Sequence, residues 1–236
     1  MIPKVIHYCW FGGKELPKDV CKCIESWKKY CPDYKIIRWD ESNFDVHSHP
    51  FMEAAYNEKC WAFVSDYARL KVVYDNGGIY LDTDVELVKS LDEVINNQCY
   101  FAVQQLDTQV ASGLGFGSVA GHNGLRKMIE IYDSITFSKD KVVEIACPIL
   151  NTKVIEGLGY VYSNSVTTVC DVTIYPPEYF DPYGAGKAKD LFSEKTISIH
   201  HYSATWTPRS QRIKRRLVRL IGQENTRKIK RLIGKL

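Results

Sequence analysis

Phe63, Tyr67, Leu70, Val73 and Tyr74 recur at i, i+4, i+7 spacing, and this apolar stripe predicts a helix. Ser65, Asp66 and Arg69 stand apart from the stripe. Asn76, Gly77 and Gly78 end the helix, because glycine takes a left-handed cap without a Cβ penalty. Ile79, Tyr80 and Leu81 then form a short run of β-formers. That run is expected to deliver Asp82 and Asp84 to a strand end on one side of the pleat, with Thr83 facing the other way.

The same reading along the chain predicts a layered α/β protein. Lys4 to Phe11 reads as a first strand that stops at Gly12-Gly13. Pro17 suits the first turn of a helix to about Tyr30, with Val20, Ile24 and Trp27 along one side and Pro32 stopping it. Tyr34 to Trp39 closes a β-α-β unit, whose length implies parallel pairing. Val85 to Val88 continues extended, and Cys99 to Gln104 is another strand. The glycine-rich segment 111–120 reads as strand and turn where backbone approaches a ligand closely. It lacks the lysine and serine or threonine of a phosphate-binding P-loop. His122 to Ile135 is a predicted helix, and Val142 to Leu158 is helical but broken near Pro148. Val166 to Tyr175 has strand character. A turn-rich connection follows over 176–190, and Thr196 to Tyr202 is the last strand.

Composition adds a boundary. At 236 residues and 45% hydrophobic, the chain fits one domain with an appendage. Residues 207–236 carry eleven Lys or Arg against one Glu, a net of +10, whereas residues 1–206 carry 20 basic and 27 acidic side chains, a net of −7. Ile213, Leu217, Leu220 and Ile221 line one helical face of this tail, and Ile229, Leu232, Ile233 and Leu236 another. A basic amphipathic helical tail of this kind fits an anionic membrane surface, with a solvated helix packed on the domain as the plainer alternative. Nucleic acid fits poorly, because no aromatic residues interleave with the charges. No stretch approaches a membrane-spanning length, and the N-terminus opens as a strand, not as a signal peptide. A cytoplasmic protein, peripheral on the inner face of the membrane, is therefore expected. Eight cysteines read as reduced and mostly buried. Cys21, Cys23 and Cys31 lack the paired spacing of a zinc knuckle.

The candidate chemistry centres on Asp82 and Asp84. Two carboxylates on one face repel each other unless a cation sits between them, and Mn²⁺ or Mg²⁺ with substrate phosphates would complete such a site. An Asp-x-Asp triplet alone is as compatible with a solvated turn. Its context is an apolar strand, with Asp66 and Arg69 on the preceding helix. Tyr8 and Trp10 share a face near the end of the first strand, where open α/β sheets bind ligands; a stacked base and a core plug both fit them. His200 and His201 point to opposite faces of the last strand, so at most one faces any given site. A neutral imidazole is a good third ligand beside carboxylates.

Three segments carry a resemblance: IPKVIHYCWFGG at 2–13, S-D-x-x-R-x₇-G-G-I-Y-x-D-x-D at 65–84 and HHYSATW at 200–206. Together and in this order they resemble the DXD-containing sugar transferases of glycosyltransferase family 32 and, more distantly, the glucosylating domains of large clostridial toxins. The resemblance implies a GT-A fold, a Rossmann-like mixed sheet flanked by helices, in a domain spanning 1–206. It implies transfer from a nucleotide-sugar donor, a UDP-sugar before GDP-mannose, to a saccharide acceptor with anomeric retention; the basic tail suggests that this acceptor is a lipid-linked surface glycan. By resemblance Trp10 stacks on the base, Asp66 and Arg69 hold donor hydroxyls and phosphate, and Tyr80 packs near the ribose. Asp82 bonds to ribose and metal-bound water, Asp84 binds the metal, and Trp206 reaches the β-phosphate. The toxin domains place a carboxylate five residues before that tryptophan. Here His201 stands in that position, closer to the histidine ligand of other DXD transferases, with His200 the alternate.

Two rivals come from other classes. Leu81 to Val85 also resembles the D-x-D-x-[TV] nucleophile motif of haloacid-dehalogenase-like phosphatases, although that motif normally lies on the first strand. A non-enzymatic membrane-docked adaptor built on the tail is the other.

Overall fold

The computed structural model describes residues 1–185 and 188–203. The tail 207–236 and Trp206 lie outside the described residues. Strand β1 (Val5–Cys9), helix α1 (Lys18–Tyr30) and strand β2 (Lys35–Trp39) form the expected β-α-β unit, with β1 and β2 parallel and Val5 opposite Lys35. Helix α1 buries Val20, Cys23, Ile24 and Trp27 along one side, and the fully buried Trp27 indole donates to Val85 O at 2.8 Å. Helix α2 (Pro50–Asn57) has no counterpart in the hydrophobic pattern. It is nucleated by Pro50 and by the His49 ring, which accepts from Phe51 N at 3.2 Å.

Helix α3 (Trp61–Asn76) is buried on more than one stripe: Asp66 and Arg69 are enclosed along with Val64, Tyr67, Leu70 and Val73. Gly77 caps it at φ 67°, and a Cβ there would meet Pro3 Cγ at 3.0 Å and Ala120 N at 3.1 Å. Glycine is therefore required twice over, by conformation and by space. Strand β3 (Gly78–Tyr80) alternates across the sheet, with Ile79 and Leu81 in one core and Tyr80 in the other.

The remaining elements are β4 (Val85–Leu87), β5 (Cys99–Ala102), β6 (Phe116–Ser118), α4 (Asn123–Glu130), α5 (Cys147–Gly157), β7 (Thr167–Val169), β8 (Val172–Tyr175), α6 (Pro177–Phe180) and β9 (Ser198–His200). Two expectations change. Pro148 does not break a helix but starts one, sitting in the first turn of α5. The segment 166–175 is not one strand but the hairpin β7–β8, because Cys170 and Asp171 both take positive φ, 44° and 64°.

Seven strands form a mixed sheet in the order β2-β1-β3-β6-β5-β8-β7, and β4 and β9 form a separate antiparallel pair. Within the large sheet, β1 is parallel to β2 and β3, β5 is parallel to β8, and β6 runs antiparallel to both β3 and β5. The C-terminal ends of β1, β2, β3, β5 and β8 consequently share one edge. Helices cover both faces, an α/β architecture of the GT-A-like kind. All eight cysteines are unpaired, five of them buried. No helix among the described residues is long and apolar enough to cross a membrane.

Candidate metal and donor site

The chain leaves β3 at the shared edge and turns at once. Asp82 and Asp84 lie beyond the strand, in a turn closed by Val85 N donating to Asp82 O at 3.0 Å. The turn, not the alternation of a pleat, brings the two carboxylates together. Strand β4 then pairs with β9, with Val85 opposite His200. This pairing carries the last strand to the acid turn across 116 residues of sequence, and His200 Nε2 stands 3.1 Å from Asp84 Oδ1.

Asp82, Asp84 and His200 each offer a ligand atom, all within 4.8 Å of one another. They are the one such group of three among the described residues. Two carboxylate oxygens and an imidazole nitrogen suit Mn²⁺, and Mg²⁺ with more water in its shell, so the donor set fits the implied cation. The expected first choice for the third position, His201, faces the other way and pairs with Glu86 Oε2 at 2.8 Å. Adjacent residues on an extended segment point to opposite sides, and the β4–β9 register gives the inward side to His200.

The cluster is held from behind by α3 and β3. Arg69 Nη1 reaches Asp82 Oδ2 at 3.4 Å, Nη2 reaches Asp66 Oδ1 at 2.7 Å, and Nε donates to Ser65 O at 3.0 Å. Its guanidinium lies 5.1 Å from the centre of the Tyr80 ring. The Tyr80 hydroxyl donates to Asp82 Oδ1 at 2.9 Å. Tyr80 was expected near a ribose, but it is fully enclosed and acts on Asp82 instead. Gly113, in the glycine-rich segment, passes so close that a Cβ would fall 2.7 Å from Asp82 Oδ2 and 3.3 Å from Arg69 Nη1. The close backbone approach expected there is real, and what it approaches is the Asp82 carboxylate.

Burial pushes the Asp66 carboxyl up to about 6, against the opposing pull of Arg69. Burial also raises Asp82, again opposed by Arg69. Burial would raise Asp84 as well, but His200 and two donors from Ser203, N at 2.8 Å and Oγ at 3.0 Å to Oδ2, hold it well below the usual carboxylate range. His200 is raised in return, because Asp84 outweighs the burial that would lower it. Asp84 is thus ionised, with its two oxygens fixed by different partners.

Of the aromatic platform, Trp10 is half-buried just past β1 on the shared edge, its indole donating to Lys14 O at 2.6 Å. Tyr8 is not available to a base; it is buried, with its ring edge-on to Trp27 at 5.7 Å. Hydrophobic pattern alone missed Ser203, Tyr202 and Asp181. Tyr202 takes a left-handed φ of 49°, packs its ring 4.1 Å from His200, and donates to Asp181 Oδ2 at 2.7 Å. Its presence in the HHYSATW segment was the available signal.

Residues 17–101 match the model of the glycosyltransferase sugar-binding region containing a DXD motif. Over these residues the chain is similar to the sugar-binding region of DXD-containing glycosyltransferases. Asp66, Arg69, Asp82 and Asp84 all fall within the matched DXD region, and His200 does not. The chain is 30% identical over 115 residues to an uncharacterized glycosyltransferase, L373, of Acanthamoeba polyphaga mimivirus, covering 45% of each protein. It is 28% identical over 141 residues to inositol phosphoceramide mannosyltransferase 3 of Schizosaccharomyces pombe, covering 58% of this chain and 39% of that protein. The chain therefore spans less than half the length of these curated relatives. In structure, 66% of it superposes on 69% of the PaToxG glycosyltransferase, with a TM-score of 0.53 at 19% identity, which shows a shared fold.

Proposed function

We propose that the chain is a metal-dependent retaining glycosyltransferase. It takes a nucleotide-sugar donor, a UDP-sugar in preference to GDP-mannose, and transfers the sugar to a saccharide acceptor. The observation that carries this reading is the convergence of Asp82, Asp84 and His200 within 4.8 Å, backed by the buried Arg69. Asp84 and His200 are the principal ligands of Mn²⁺ or Mg²⁺, with Asp82 completing the set. The bound cation supplies Lewis-acid neutralisation of the leaving diphosphate.

The protein's own groups position the reactants. Arg69, locked by Asp66 and Ser65, opposes the burial that raises Asp82 and places a fixed positive charge beside the donor phosphates. Trp10 lies along the same edge, where a base can stack. Transfer breaks the bond from the anomeric carbon to the diphosphate oxygen and forms one to the acceptor oxygen, and the acceptor proton passes to the departing diphosphate. A same-face attack is favoured over a covalent intermediate, since both Asp82 oxygens are engaged by Arg69 and Tyr80 and both Asp84 oxygens by His200 and Ser203. The same engagement, and the position of Asp82 after β3 instead of β1, counts against an aspartyl-phosphate phosphatase.

A membrane-proximal, lipid-linked acceptor is supported by the +10 charge of residues 207–236 and by a relative named for a lipid acceptor. By the family pattern Trp206 contributes to phosphate binding. Incubation with a panel of UDP- and GDP-sugars and Mn²⁺ tests the reading. Released nucleotide with one donor is expected; release from none, or hydrolysis of simple phosphate esters instead, refutes it.

A further inference from the structure

The edge that carries the acid turn extends beyond it. Strands β1 and β3 end there beside Trp10 and Asp82, and β5 and β8, which run in the same direction, end on it further along. Past β5 and β8 the surface opens into a groove of about 710 Å³, lined by Leu106, Tyr162 and Phe192 among others. That volume lies within the usual range of small-molecule sites. These three side chains are 57%, 39% and 49% exposed, an unusual gathering of bare apolar surface at one place.

The groove is built, not loose. The Gln105 side-chain amide donates to Pro182 O at 3.1 Å and to Lys189 O at 3.0 Å, and its oxygen accepts from Lys189 N, so one side chain ties two walls together. Phe192 is backed by Tyr183, the rings stacked 5.9 Å apart and 7° from parallel. The Tyr162 hydroxyl is oriented by Asn164 Oδ1 at 2.8 Å. The groove is also joined to the acid cluster. Gln105 N donates to Asp181 Oδ2 at 2.8 Å, the oxygen that also accepts from Tyr202, whose ring packs on His200.

We infer that this groove binds the saccharide acceptor, an inference that rests on the transferase reading above. A pyranose presents apolar C–H faces ringed by hydroxyls, and rigid aromatic rings bordered by amides and carboxylates match both parts. Tyr162 and Phe192 are the stacking surfaces. Asn164, Glu178 and Asp190 supply polar edges. An acyl chain would instead require a continuous apolar surface, which these groups and Lys189 interrupt. The donor thus occupies the β1–β3 half of the edge and the acceptor the β5–β8 half, the groove linked to the cation cluster through Asp181, Tyr202 and His200.

The labelled full chain on an array of immobilised mono- to tetrasaccharides tests this. Retention on at least one saccharide is expected, with release by the same oligosaccharide free in solution. The double substitution Tyr162→Ala and Phe192→Ala is expected to weaken retention at least about tenfold, while Val143→Ser, an exposed change outside the groove, leaves it intact. An array that captures nothing, capture that free sugar does not displace, or undiminished capture by the double variant overturns the inference. Nucleotide release by the wild-type protein without added saccharide is measured separately. Its absence defeats the transferase reading whatever the array shows.

Discussion

His200 Nε2 lies 3.1 Å from Asp84 Oδ1 because Val85 and His200 are paired residues of a two-stranded sheet. His201, one residue on, pairs with Glu86 instead. The two histidines therefore make opposite predictions. His200→Ala is expected to weaken Mn²⁺ binding by at least about tenfold, whereas His201→Ala changes it by less than about twofold. Calorimetric titration of Mn²⁺ into each variant decides the matter. A larger loss in His201→Ala would show that the strand register does not choose the ligand.

Cation binding should also be visible as stability. Asp82 and Asp84 come together only in the folded form, with Arg69 against the first and His200 against the second, so the folded form gains whatever free energy the cation supplies. At Mn²⁺ about a hundredfold above its Kd the gain is about 2.7 kcal/mol, which for a chain of this size raises the Tm by roughly 5–10 °C. EDTA reverses the shift, and Asp82→Asn with Asp84→Asn abolishes it. A double variant that still shows the full Mn²⁺-dependent shift would place the cation elsewhere.

Gly113→Ala addresses the donor side without replacing a ligand. The new Cβ would stand 2.7 Å from Asp82 Oδ2, and that carboxylate has no slack, being held by Arg69 and Tyr80. Displacing it is expected to lower donor turnover by about 10- to 100-fold, at a stability cost of about 1–3 kcal/mol. Steady-state kinetics beside thermal melts separate the two effects. Wild-type turnover in a correctly folded variant would remove Asp82 from the reaction.

What could be read in the sequence was what local pattern encodes. The β1-α1-β2 unit followed from apolar spacing and from Pro17 and Pro32. The DXD turn was located by the helix, glycine stop and strand before it. The pairing of β4 with β9 could not be read, because two strands of three residues carry almost no periodic signal and meet across more than a hundred residues. Without that pairing the choice between His200 and His201 had no physical basis. Tyr8 and Tyr80 misled for a related reason: a tyrosine at a strand end has the same composition whether it faces a ligand or a core, and both face cores here. Helix α2 went unread because its eight residues hold too few turns to establish a period.

The buried charges give the metal-free protein a specific pH dependence. Asp66 has a folded pKa of about 6, above its unfolded value of about 4, so between these values the folded form binds more protons than the unfolded chain. Its burial cost is in full force above about pH 6 and is relieved as the pH falls through that range. His200 is raised by Asp84, so its contribution is complete below its ordinary value near 6.5 and is lost as the pH rises through the folded value. Both signs agree, so these two groups favour the folded form more at about pH 5 than at about pH 8, with Asp66 contributing about 1 kcal/mol; His7 and His122, lowered by burial, act the other way over the same range. Mn²⁺ affinity runs the other way, because protons compete for His200 and Asp82. Urea melts of the EDTA-treated protein across this range, with Asp66→Asn for comparison, measure the effect. Asp66→Asn should have a flatter profile, retaining the His200 part; a profile as steep as the wild type's would mean that Asp66 does not carry the proton.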